Sequence, residues 1–62
     1  MVDLKKLAVK NIHEYITDEE RRMLRNAGYF FRIRRGPGLD YAEIYQYDVL
    51  VARVVNGKET WY

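Results

Sequence analysis

Apolar residues recur at intervals of three and four as far as Ala27, and at intervals of two from Tyr29 onward. A helix returns to the same face every 3.6 residues and a strand every two, so this change of period commits the chain to helices first and strands afterwards. Gly28 stands at the boundary, where a residue tolerant of positive φ can end a helix.

Within the first segment, Leu4, Leu7, Ala8, Ile12 and Tyr15 form one buried stripe, with Val9 and Ile16 on its margin. Asp3 is placed to cap its start. Lys5, Lys6, Lys10 and Glu14 fill the remaining surface. Thr17-Asp18-Glu19-Glu20 has the spacing of a capping box, with acidic residues at the positive end of a second helix. That helix is expected from Asp18 to about Ala27, burying Met23, Leu24 and Ala27.

In the second segment Tyr29, Phe31 and Ile33 share one strand face, expected to lie against the helices, while Phe30, Arg32 and Arg34 share the other. Gly36-Pro37-Gly38 lacks a donor at the proline and reads as a turn. A second strand is expected from Tyr41 to Tyr47, with Ala42 and Ile44 opposite in parity to Tyr41, Glu43 and Tyr45. Tyr47-Asp48 reads as a tight reversal before the β-branched run Val49 to Val55. Asn56-Gly57 is the strongest hairpin signal, because both residues accept the backbone angles of a type I′ turn. Lys58 to Tyr62 completes the chain as a short strand. The expected fold is α+β: residues 1–62 as one small domain, with two N-terminal helices packed on a three- or four-stranded antiparallel meander.

The order of elements is similar to that of small helix-plus-sheet modules from mobile elements and phages. The likeness rests on element order alone and implies neither a residue role nor an activity.

The residues point away from catalysis. The chain of 62 residues contains no Cys and no Ser, and His13 is its one histidine. A zinc site needs about four ligands, and His13 has no Cys or His partner to supply them. A serine triad cannot be assembled. Asp18, Glu19 and Glu20 are accounted for by capping, and Asp40 and Glu43 by a turn and a strand face. Gly36-Pro37-Gly38 lacks the lysine, hydroxyl and further glycines of a phosphate-cradling loop. No cofactor, metal or small-molecule substrate is expected, and the chain is read as a non-enzyme. The lack of cysteine suits a reducing compartment, Met1 to Lys10 contain no continuous apolar leader, and no segment reaches the length of a membrane span, so a cytoplasmic protein is expected.

What remains is surface. Residues 1–35 hold nine Lys or Arg against five acids, and residues 36–62 hold two against four. Arg21, Arg22 and Arg25 crowd the second helix. Phe30, Arg32 and Arg34, with Tyr41, Glu43 and Tyr45 on the next strand, form the compact candidate binding surface. Aromatic and arginine residues together are typical of protein interfaces. A chain this short also buries little apolar surface, which favours completing its core through a partner or a second copy. The leading expectation is therefore a protein-interaction module, self-association included. The alternative is a nucleic-acid-binding module in which arginines hold phosphates and aromatics stack on bases.

Overall fold

The computed structural model describes residues 3–62; Met1 and Val2 lie outside the described residues. Two helices, α1 (Leu4–His13) and α2 (Asp18–Asn26), precede four strands, β1 (Tyr29–Gly36), β2 (Leu39–Gln46), β3 (Val49–Val55) and β4 (Lys58–Trp61). The strands form one antiparallel sheet in the order β1-β2-β3-β4, so each pairs only with its sequence neighbours. This is the expected α+β arrangement, in its four-stranded form.

Each helix begins where its cap dictates. The Asp3 carboxylate accepts from the amides of Lys5 at 3.1 Å and Lys6 at 3.3 Å. At α2 the capping box is complete: Glu20 N–H donates to Thr17 Oγ1 at 3.1 Å, and Thr17 N–H donates to Glu20 Oε1 at 3.0 Å. α1 stops at His13, because Glu14 is extended. The expected stripe is thereby cut short. Tyr15 leaves it and is 97% exposed, while Ile16 turns inward and is buried. In α2 only Leu24 is fully buried; Met23 and Ala27 are half-buried, because a nine-residue helix presents one full turn to the sheet.

All three hairpins use two-residue turns, and each solves the backbone problem differently. Pro37-Gly38 joins the paired residues Gly36 and Leu39, with Gly38 at φ 72°, as a type II turn requires. Asn56 and Gly57 both have positive φ, as expected for type I′. Tyr47 and Asp48 adopt φ 50° and 65° without any glycine. β2 begins at Leu39, two residues earlier than the sequence pattern indicates, because the tight turn lets pairing start at once.

Leu7, Ala8, Ile12, Ile16 and Leu24 from the helical layer meet Ala42, Ile44, Ala52 and Val54 from the two central strands in a single core. Tyr29, Phe31, Val51 and Trp61 pack around it, half-buried. The register shifts between Ile44 and Tyr45, whose partners are Ala52 and Leu50; Val51 is thus the extra residue of a bulge and turns its side chain to the core. Ile33 has the expected parity, being paired with the buried Ala42, but is 43% exposed. It lies on an edge strand and lines an open hollow with Ile12, His13 and Arg21, so the helices cover it only in part.

Arg35 ties the layers together. Its guanidinium donates to the carbonyl oxygen of Ile12, in the last turn of α1, and to Asp40 Oδ1 at 3.4 Å. At the other end of the sheet, Gln46 Nε2 donates to the carbonyl oxygen of Ala27 at 3.1 Å and so caps the end of α2.

Candidate binding face of the sheet

With both helices on the Ala42–Ile44 side, the opposite face of the sheet is left open. Strand parity and register arrange that face in rows. Phe30 pairs with Tyr45, and Tyr45 with Leu50. Arg32 pairs with Glu43, Glu43 with Arg53, and Arg53 with Thr60. Arg34 pairs with Tyr41, Tyr41 with Val55, and Val55 with Lys58. The six residues picked out from the sequence on β1 and β2 are therefore brought together as two adjacent columns.

The aromatic end of the face is Phe30, 62% exposed, with its ring centroid 6.4 Å from that of Tyr45 and tilted by 56°. Phe30, Arg32, Tyr45 and Asp48 line a shallow hollow of about 230 Å³. In the central row, Glu43 lies between two arginines but takes Arg53 as its partner, with Nε to Oε2 at 3.9 Å. Arg53 also stands 6.0 Å from the Tyr62 ring. Partial burial, and after it the neighbouring Glu43 carboxylate, push the Tyr41 phenol above its usual range, so this hydroxyl is neutral at physiological pH.

Among the described residues only Arg35 and Arg53 come within 4 Å of a carboxylate. Arg32 and Arg34 are exposed and unpaired, as are Arg21, Arg22 and Arg25 on α2. The helix arginines do not share the open face, but Arg21 and Arg25 line a second hollow of about 230 Å³ together with Leu24, Tyr29, Phe30 and Phe31. Phe30 thus borders both basic groups, one on each side of the β1 edge. Arg22 lies farther out, in a smaller depression with Asp18, Arg21 and Arg25.

Arg53, Lys58 and Tyr62 were not singled out from the sequence. Simple alternation along β3 gives Leu50 and Arg53 opposite parity, and only the bulge at Val51 brings both to the open side. The signal for Lys58 was present in the Asn56-Gly57 turn, which fixes its pairing with Val55 and hence its face.

His13 is exposed at the end of α1 and borders a hollow of about 280 Å³ with Glu14, Tyr15, Arg21 and Arg35. Its neighbour Arg35 is already committed to Ile12 and Asp40. Among the described residues no three His, Cys, Asp or Glu side chains converge as a metal site, and no helix is long and apolar enough to cross a membrane. Comparison of the chain with protein-family models, curated proteins and solved structures finds no match.

Proposed function

We propose that this protein is a non-catalytic binding module whose open sheet face takes a single-stranded nucleic acid. The observation that carries the reading is the pairing state of the face: Arg32 and Arg34 have no carboxylate partner and stand beside the exposed ring of Phe30 and the ring of Tyr45. Unpaired guanidiniums are free to hold phosphates, and exposed rings can stack on any base. Lys58 and Arg53 extend the positive charge across the sheet, against Glu43 within the three rows and Asp48 in the hollow beside Phe30.

This charge reverses the order of the two functional expectations drawn from the sequence. Two copies apposed through this face would set four cations against four, with the Glu43 and Asp48 carboxylates of each copy, four in all, between them. Like charges brought together on binding oppose association. An acidic protein partner is the second reading, supported by the exposed Phe30 and Val55 within the same charged face.

Titration of labelled single-stranded DNA and RNA at low and moderate salt tests the proposal, with binding that weakens steeply as salt rises as the expected result. Replacing Arg32 and Arg34 with Gln should abolish most of the affinity and leave the fold intact, since both are exposed and neither makes an ion pair among the described residues. Phe30→Ala should lower affinity by about 5- to 150-fold, the equivalent of one base stacked on an aromatic ring. Absence of binding at low salt would overturn the nucleic-acid reading in favour of the acidic protein.

A further inference from the structure

We infer that a bound single strand does not stop at the open face but turns over the β1 edge at Phe30 and continues along α2, where Arg21 and Arg25 hold its phosphates. This rests on the nucleic-acid reading and extends it to the other side of the sheet. Three observations carry it. Phe30 lines both hollows, one with Arg32 and Tyr45 and the other with Arg21 and Arg25. β1 is an edge strand, so no further strand blocks the passage. Arg21 and Arg25 are exposed and have no carboxylate within 4 Å, although Asp18 and Glu20 belong to the same helix. Glu20 is held by the Thr17 cap instead.

An exposed aromatic at a corner, flanked on both sides by free arginines, suits a polyanion that bends there. A base stacked on Phe30 leaves its two flanking phosphates pointing away along the chain, one toward each arginine group. A ligand confined to the sheet would make no use of Arg21 and Arg25, and a ligand confined to α2 would make no use of Arg32 and Arg34. The β4 side of the molecule offers a contrast in the same protein. There Lys5 is occupied over the Trp61 ring at 5.4 Å and Glu59 accepts from the Trp61 indole, so basic and acidic groups are mixed.

The test is the salt dependence of binding as a function of strand length, from about three to about twelve nucleotides. For long strands, replacing Arg21 and Arg25 with Gln should lower the slope of log affinity against log salt by about 1.4, at about 0.7 for each phosphate that is no longer neutralised. For the shortest strands the same variant should bind like the parent. Arg21→Lys with Arg25→Lys, which keeps both charges, should retain the slope at every length. Lys5→Gln with Lys6→Gln removes equal charge at the opposite sheet edge and should leave the slope unchanged. An unchanged slope in the folded Arg21→Gln, Arg25→Gln variant at all lengths would overturn the inference and leave the sheet-face reading standing. So would an equal fall in the Lys5, Lys6 variant. Failure of the parent protein to bind at low salt at any length overturns both readings.

Discussion

Gly28 and Tyr47 pack closely against one another. Gly28 has φ 83°, its carbonyl accepts from Tyr47 N–H at 3.0 Å, and a Cβ added to it would overlap the Tyr47 ring. Gly28→Ala therefore meets a backbone penalty of about 1–3 kcal/mol and also forces the exposed Tyr47 ring to swing aside. Adding Tyr47→Ala should remove the steric part alone, so urea unfolding of the two single variants and the double should give a small coupling, about 0.5 kcal/mol. The arginines of β1 divide in the same residue-specific way. Arg35→Ala removes hydrogen bonds to Ile12 and Asp40 and should cost about 1–2 kcal/mol, whereas Arg32→Gln and Arg34→Gln should change stability by less than about 0.5 kcal/mol. Glu20 supplies a pH-dependent term. The Thr17 amide, and then the Thr17 hydroxyl, hold its carboxyl below the ordinary value of 4.5. A group depressed by folding stabilises the native state above its unfolded pKa and loses that contribution as pH falls through its folded one. The helix should therefore weaken as pH drops below 4.5. A Glu20→Gln variant followed by circular dichroism should lack this part of the acid transition.

At the scale of elements, what could be read from the sequence was what local chemistry decides. The caps at Asp3 and Thr17, the turn at Asn56-Gly57 and the parity of β1 need only neighbouring residues, and all stand as expected. Tyr15 and Ile33 fit their periodic patterns equally well, yet one lies beyond the end of α1 and the other on an edge strand beside an open hollow. Periodicity gives direction without saying how far the partner layer extends. The same distinction sets an experiment on β1. Phe31→Ala, packed against the core, should cost roughly 2–3 kcal/mol, and Ile33→Ala, on the same face but half exposed, under about 1.5 kcal/mol. Equal losses in denaturant titrations would show that the helices bury Ile33 as fully as Phe31. The bulge at Val51 was not legible, because an extra residue in a uniformly apolar run leaves no mark on its pattern. Half of the candidate site, on β1 and β2, was therefore visible in alternation, while the part on β3 depended on a register that only the paired strands define.

For the whole molecule, the two-layer arrangement measures 34 × 23 × 17 Å, and among the described residues no other element covers one broad side of its sheet. The proposal of a cationic nucleic-acid face predicts that copies repel one another through that side, so light scattering across a concentration series should report a monomer; a dimer would reinstate self-association as the leading reading. The meander has a further consequence, in time and not in energy. Each strand finds its mate across two residues, and the two helices are likewise consecutive. No long loop has to close before pairing is rewarded, and the entropy of closure grows with loop length. The polypeptide should reach its native state in roughly milliseconds in its main phase, and each hairpin can form as soon as its own residues are free to meet.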